Sequence, residues 1–341
     1  EKQELARQID KQTLELPPDG TNPYDKDSVL CKSEGMTKII NTSETDLESF
    51  KKTLPFSMLT APYSKALFTG KETEKVVPVN NYKTKETAEV LLRILPTEVT
   101  SSEYIKIENP LDEYDREIVN AIHTIWESGA KRFTPQNVYE SMTGSKTPVK
   151  KKLDEISSRV MKLDSTKVDI YLSDLFKKVY PTHKVPEKNQ VILESRIINV
   201  DRIRWVDEYN KQTVQEGFVF LKEPTLTTVC KMCNYQITTV PSKMLSSPSR
   251  KISNTDTSVV LTNYLAQRIY TMKNEPKISR DILFDTIFKD NNMLEKSRTE
   301  INRIRTVIFS ILDAWVEDKF IKKYETNPKG KKRYHSISIV L

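Results

Sequence analysis

The chain has 341 residues, with 54 basic and 47 acidic side chains, a formal net charge of +7 and three cysteines. Three cysteines are too few for a disulfide framework, no apolar run approaches the ~18 residues of a membrane span, and no signal-peptide pattern opens the sequence. The seven glycines are widely separated, which excludes a P-loop and a GxGxxG motif. We therefore expect a cytoplasmic protein with no membrane contact and no nucleotide-driven motor of those types.

The length predicts about two domains and an extension. Residues 1–105 are predicted to form an N-terminal arm that is partly ordered, because long polar stretches separate its short apolar pieces. Within this arm, Ser43–Lys52 is predicted as a short helix and Glu89–Leu95 as a strand. The two domains are predicted at residues 106–245 and 246–341.

The first domain opens with apolar residues at helical spacing from Leu111 to Ile125. Thr134-Pro135 and Thr147-Pro148 each place an N-cap residue before a proline, and so predict the starts of a second and a third helix. Three runs typical of strands follow, at Lys167–Ser173, Gln190–Val200 and Gly217–Leu221.

The second domain repeats this order. A first helix is predicted over about Thr257–Lys273, a short second helix capped by Ser279 and including Ile282 and Leu283, and a long third helix over Ser297–Glu317. A hairpin over 320–341 ends the sequence. The offset between the copies is predicted as about 145 residues, as from Ile156 to Ile301. Three helices and a hairpin, present twice, predict an α+β fold of two tandem winged-helix domains plus the N-terminal extension.

The second helix of a helix-turn-helix motif, which is the third helix of each domain here, enters the major groove of DNA with its polar face toward the bases. Arginine suits guanine and asparagine suits adenine through paired hydrogen bonds. A solvated helix face is the alternative, but Asp313, Glu317 and Asp318 gather at the other end of this helix. The predicted DNA-binding residues of the second domain's third helix are Arg298, Thr299, Asn302, Arg303, Arg305 and Thr306.

The tip of the final hairpin is strongly basic, which predicts a wing that contacts phosphates. The alternative is a tip that only improves solubility. The predicted wing residues are Lys329, Lys331, Lys332 and Arg333.

The third helix of the first domain is basic but is interrupted by Asp154 and Glu155. It therefore favours either DNA contact or a protein interface, and the longer hairpin region of this domain could equally support contacts in a homodimer. The candidate DNA-binding residues here are Lys146, Lys150, Lys151 and Lys162.

The sequence shows no recognisable catalytic or metal-binding motif. Cys230 and Cys233 have metal-ligand spacing, but no second CxxC and no nearby histidine accompany them. His123 is predicted on the polar side of its helix, far from the other two histidines. No acidic constellation is recognisable, so we expect no catalytic residue, no metal, no cofactor and no enzyme activity.

The segments "PLDEYDREIVNAIHTIW", "FTPQNVY", "GFVFLKEP", "ILDAWVEDKFIKKY" and "KGKKRYHSISI" resemble the iteron-binding plasmid replication initiators over about Asn109 to Leu341. The resemblance implies tandem winged helices, with the third helix of the C-terminal domain reading a DNA repeat. It also implies phosphate contacts or dimerisation by the N-terminal domain, opening of an AT-rich origin and recruitment of the host helicase. The long N-terminal arm and the acids in the first domain's third helix depart from that pattern.

The sequence thus favours a sequence-specific double-stranded DNA-binding protein that initiates replication of a plasmid or mobile element in a bacterial cell. A winged-helix transcription regulator is one alternative. A helicase loader or primosome adaptor, whose winged helices would bind protein, is another.

Overall fold

The computed structural model describes residues 56–59, 62–69, 73–80, 87–95, 111–172, 191–209, 213–232, 237–275, 277–329 and 332–341. The helix predicted at Ser43–Lys52 lies outside these residues. The fold is α+β. The helices are α1 Pro62–Leu67, α2 Glu113–Glu127, α3 Pro135–Thr143, α4 Lys150–Ser165, α5 Thr225–Met232, α6 Ser242–Ser246, α7 Asp256–Asn274, α8 Phe284–Asp290 and α9 Arg298–Glu317. The strands are β1 Phe56–Leu59, β2 Glu74–Asn80, β3 Thr87–Leu95, β4 Arg132–Phe133, β5 Lys167–Tyr171, β6 Ile192–Arg196, β7 Val200–Val206, β8 Thr213–Phe220, β9 Ile237–Val240, β10 Asp281–Leu283, β11 Lys323–Lys329 and β12 Lys332–Val340.

Two parts of the chain share one connectivity. The first unit comprises α2, β4, α3, α4 and the hairpin β7–β8, and its sheet has the order β4-β8-β7. The second unit comprises α7, β10, α8, α9 and the hairpin β11–β12, and its sheet has the order β10-β12-β11. All strand pairs are antiparallel. In each unit the short strand after the first helix therefore pairs with the last strand of the hairpin.

Local capping explains several helix starts. Asp112, Thr134 and Ser297 each accept a hydrogen bond from the backbone N–H of the third residue in the helix that follows. The side chain of that third residue accepts a hydrogen bond from the backbone N–H of the capping residue in return. These reciprocal capping boxes satisfy N–H groups that have no partner inside the helix. The predicted starts of α3 and α9 are thereby confirmed. At the end of α3, Gly144 adopts a positive φ of 66° and lies against α6, where an added Cβ would come within 2.6 Å of the Ser246 Cβ.

The predicted start of α4 was wrong. Lys152 N and Leu153 N both bond to the Val149 carbonyl, which makes Val149 the N-cap instead of Thr147. Val149 has no side-chain oxygen, so this helix begins without a side-chain cap.

Strands outside the two units connect the N-terminal part of the chain to the first unit. β3 pairs with β5 within a four-stranded sheet of order β2-β3-β5-β6, and β1 pairs with β9. The strand predicted at Glu89–Leu95 is confirmed as part of β3. The run Gln190–Val200 is divided between β6 and β7, because Ile197 turns inward and its N–H bonds to the Thr166 carbonyl.

The predicted second helix of the second unit began too early. Ile282 and Leu283 belong to β10, whose register places Ile282 opposite Ile337 of β12, and α8 begins only at Phe284. The predicted offset of 145 was wrong for the third helices. The buried residues Ile156, Val160 and Leu163 of α4 correspond in the helical pattern to Ile304, Ile308 and Ile311 of α9, which lie 148 positions further along.

A buried carboxylate joins the two units. Glu117 on α2 has 2% of its surface exposed and accepts hydrogen bonds from Asn120 on the same helix at 3.1 Å and from Asn263 on α7 at 2.9 Å. Arg116 pairs with Glu117 at 3.1 Å and reaches Asn291, just after α8, at 3.5 Å. A buried charge is tolerated only when it is paired and hydrogen-bonded. These contacts therefore define the packing of α2 against the second unit.

Candidate nucleic-acid interface

The helix α9 has one apolar and one polar face. Ile304, Ile308, Ile311 and Trp315 are buried in the second unit, and the Trp315 indole N–H donates to the Met244 carbonyl at 2.8 Å. The opposite face of the N-terminal half is exposed. It presents the predicted residues Thr299, Asn302, Arg303 and Thr306.

The two arginines at the margins of this face differ. Arg298 is exposed at the first position of α9. Arg305 is half-buried, with its guanidinium carbon 5.7 Å from the ring centres of Phe284 and Phe288 and 5.5 Å from that of Tyr334. Cation–π attraction stabilises such a placement. The structure thus assigns Arg298 to the surface and Arg305 to the junction of α8, α9 and β12.

The final hairpin forms as predicted, with strands β11 and β12 in antiparallel register. Lys329 is exposed and lies opposite Lys332, beyond an irregularity in the pairing between Asn327 and Lys329. Lys331 and the side chains of Lys332 and Arg333 lie outside the described part of the structure. The backbone therefore places two of the predicted wing lysines across from each other near the turn.

The acids at the C-terminal end of α9 are engaged within the protein. Asp318 pairs with Arg250 at 2.5 Å, and Glu317 pairs with Lys251. Asp313 accepts a hydrogen bond from the Tyr324 hydroxyl at 2.8 Å. The segment between the units therefore supplies cations to the helix end where carboxylates would otherwise oppose the helix dipole.

Much of the positive charge on α4 is also paired internally. Lys152 binds Asp256 at the start of α7, and Arg159 binds Asp115 at 2.9 Å and Asp256 at 3.3 Å. The predicted DNA-binding residue Lys162 pairs with Asp115 at 2.6 Å. Burial lowers the pKa of Arg159, but its hydrogen bonds to Asp112 and Asp115 outweigh that effect and raise the pKa above its ordinary value. These cations hold α4 against α2 and the second unit.

The corrected offset shows which residues of the first unit correspond to the exposed polar face of α9. Asp154 and Glu155 lie 148 positions before Asn302 and Arg303. Lys146, Lys150 and Lys151 are exposed around the start of α4. The first unit thus has cations at one end of its third helix, and carboxylates at the positions that correspond to Asn302 and Arg303.

The prediction that His123 lies on the polar side of α2 was wrong, because the residue is buried. Its surface is 0% exposed, and its Nδ1 lies 2.8 Å from the Oγ1 of Thr227 on α5. Burial and the nearby Lys231 ammonium lower its pKa to about 4, against the opposing effect of Glu127 and Glu223.

Among the described residues, no group of three or more histidine, cysteine, aspartate or glutamate side chains is arranged to hold a metal ion. Cys230 is buried on α5, and Cys233 lies outside the described residues. Within the same part of the chain, every helix is too short or too polar to cross a membrane.

Two solved structures resemble this chain. One contains selenomethionine derivatives of domain 2 and domain 3 of RctB, with 11% identity over 83% of this chain and 97% of that chain, at a TM-score of 0.44. The other contains RctB domains 2-3, with 9% identity over 82% of this chain and 97% of that chain, at a TM-score of 0.48. No protein-family model and no curated protein matches the sequence. At identities and TM-scores this low, the likeness carries no functional argument.

Sequence reasoning missed two sets of contacts. It placed Arg305 among the DNA contacts but did not predict the aromatic residues around its guanidinium, which come from α8 and β12. It did not identify Asp256 as the partner of Lys152, which is 104 positions away. Neither contact leaves a periodic signal in the sequence, because each depends on tertiary packing.

Proposed function

We propose that this protein binds double-stranded DNA sequence-specifically and initiates replication of a plasmid or mobile element. Each unit would be a winged helix, with α9 as the reading helix and β11–β12 as the wing. The observation that carries the proposal is the exposed face of Thr299, Asn302, Arg303 and Thr306 beside a basic hairpin, in a unit of helix–strand–helix–helix–hairpin connectivity. The initiator role in particular draws on the sequence resemblance.

In this proposal the second unit supplies the base contacts. The Arg303 guanidinium offers paired donors to guanine, and the Asn302 amide offers a donor and an acceptor to adenine. The hairpin lysines would neutralise neighbouring phosphates, which adds affinity without choosing sequence. Base recognition and phosphate binding would thus come from different elements of one unit.

The first unit has a different role in the proposal. Lys146, Lys150 and Lys151 would meet the DNA backbone, whereas Asp154 and Glu155 would disfavour entry of α4 into a groove through charge repulsion. In the same proposal the protein recruits the host helicase, forms a homodimer and has no enzyme activity. No step in it requires the protein to hydrolyse nucleotide.

The test is selection of bound duplexes from a random DNA pool, followed by measurement of the salt dependence of binding. A single enriched motif with a steep salt slope supports specific reading. Arg303→Ala provides a matched comparison, because it should change the enriched motif while leaving the hairpin intact. Binding without enrichment would reject the proposal.

Initiation is tested separately from binding. A DNA segment that carries the gene and several copies of the enriched motif should replicate in a bacterial host only when the protein is supplied. Binding that changes transcription but not copy number would instead identify a regulator.

One observation favours the adaptor as a second candidate function. Tyr209 near the turn of β7–β8 is 92% exposed, and Val149 before α4 is 69% exposed. Tyrosine is enriched where proteins contact one another, and an exposed valine can add apolar area to such a contact. Stable capture of the host helicase without DNA selectivity would support that alternative.

A further inference from the structure

The side chain of Arg305 leaves the DNA-facing surface of α9 and enters an aromatic cluster. The three rings over which its guanidinium lies belong to Phe284 and Phe288 of α8 and to Tyr334 of β12. Its Nε is buried and has no hydrogen-bond partner. A guanidinium is planar, and its position beside rings from two other elements restricts its rotation. The direction of its outer N–H groups is therefore fixed by the fold.

One of those outer N–H groups contacts a residue on the exposed polar face of α9. Arg305 Nη1 donates a hydrogen bond to Asn302 Oδ1 at 3.1 Å, one helical turn away. The main-chain carbonyl of Asn302 also accepts a bond from the Thr306 hydroxyl at 3.2 Å. Asn302 is exposed, so its side chain would otherwise exchange between rotamers in water. Arg305 supplies the contact that orients it.

The chemistry of this contact decides which way the amide points. Arginine can only donate hydrogen bonds, whereas the two ends of an asparagine amide differ, because the oxygen accepts and the nitrogen donates. The Asn302 oxygen must therefore face Arg305, and its NH2 group is directed away. The second lone pair of that oxygen and the NH2 group together match N6–H and N7 of adenine.

We propose that Arg305 is a positioning residue, which sets the Asn302 amide so that α9 reads one adenine–thymine base pair. The inference rests on the proposed function, because it concerns how that same surface chooses its DNA. It gives Arg305 a role that is separate from direct contact with bases or phosphates. The base preference of one position in the site should then depend on a residue that does not touch DNA.

The experiment uses the full chain and the duplex selected by the wild-type protein. Asn302→Ala first identifies the base pair whose preference disappears. Arg305→Met keeps an aliphatic stem among the rings but removes the guanidinium. It should lower the wild-type preference at that same pair by about tenfold and leave the preferences at other pairs unchanged. Lys273→Met, on the exposed end of α7, removes an equal charge and should alter no base preference.

A double-mutant cycle separates positioning from a structural role. When Asn302 is already alanine, Arg305→Met should cause no further loss of preference at that pair. Arg305→Lys keeps the positive charge but lacks the planar fork, and should lose the same preference while its salt slope matches the wild type. This second variant keeps the test available if Arg305→Met does not fold, as judged by its thermal melting.

Each other outcome overturns the inference in a distinct way. Loss of preference at a different base pair would mean that Arg305 reads DNA directly. A uniform loss of affinity with a shallower salt slope would mean that it contacts phosphate. An unchanged preference would mean that Asn302 is oriented without it. If the wild-type protein selects no sequence at all, it is the proposed function that fails, before any variant is compared.

Discussion

The buried imidazole of His123 predicts a loss of stability in mild acid. Its pKa is lowered to about 4 in the folded protein, whereas an unfolded histidine titrates near 6.5. The unfolded chain therefore binds more protons between these two values, so stability falls as pH decreases. The stabilisation that comes from keeping this ring neutral is complete above about pH 6.5 and is lost progressively toward about pH 4.

The magnitude follows from the two pKa values. A difference of about 2.5 corresponds to about 3 kcal/mol when the loss is complete, and to about 1.3 kcal/mol at pH 5.5 relative to pH 7.5. The charged groups nearest the ring are Glu127, Glu223 and Lys231, and the lowered value already includes their opposing effects. Other groups also titrate in this range, so a comparison of variants is needed to isolate His123.

The assay is urea unfolding of the wild type and of His123→Asn at both pH values. Asparagine can still meet the Thr227 hydroxyl from near the position of Nδ1 but carries no proton that titrates in this range. We expect the variant to be less stable at pH 7.5, because the smaller side chain leaves a cavity. Its further loss between pH 7.5 and 5.5 should be about 1.3 kcal/mol smaller than that of the wild type. His335→Asn retains His123 and should keep the full loss. Equal losses in wild type and His123→Asn would refute the reasoning.

Three further outcomes are expected from substitutions on the two units. Arg303→Ala should weaken binding to the selected duplex by about 1–3 kcal/mol and relax its base preference, as measured by fluorescence anisotropy, and an unchanged preference would remove that side chain from the reading role. Lys331→Ala combined with Lys332→Ala should lower affinity for all sequences and reduce the salt slope by about 0.9 for each lost phosphate contact; a slope equal to that of the wild type would place the wing away from DNA. Asp256→Asn should destabilise the protein to urea by about 1–2 kcal/mol, because it leaves two half-buried α4 cations with fewer partners, whereas Asp154→Asn on the exposed face of α4 should have little effect. Similar losses in these two variants would contradict the assigned role of the ion pairs.

Features that depend on a few consecutive residues could be predicted from the sequence. The starts of α3 and α9 were correct because Thr134 and Ser297 form capping boxes with residues three positions away. The polar face of α9 was predicted from helical periodicity, and the structure exposes it. The helix predicted to begin after Ser279 was wrong at its start, because strand β10 forms there instead and is stabilised by pairing with β12, more than 50 positions away.

The part of the candidate site that could not be predicted depends on contacts between distant elements. Helical spacing placed Arg305 near Asn302, but only the rings of α8 and β12 explain why its guanidinium turns away from the surface. Counting charges on α4 likewise gave a basic helix, whereas the partner of Lys162 is Asp115 on α2. The prediction for His123 was wrong for the same reason, since its partner Thr227 lies on α5, 104 positions further along the chain.

The hydrogen bonds around Glu117 have a consequence for how such proteins can diversify. Its carboxylate is shared between α2 and Asn263 on α7, so the two units cannot be exchanged as independent modules. A recombinant that received a foreign second unit without an amide at that position would remove one hydrogen bond from a buried carboxylate, which is destabilising. Under the proposed function, changes in DNA specificity would therefore accumulate through point substitutions on the exposed face of α9, while the two units are inherited together.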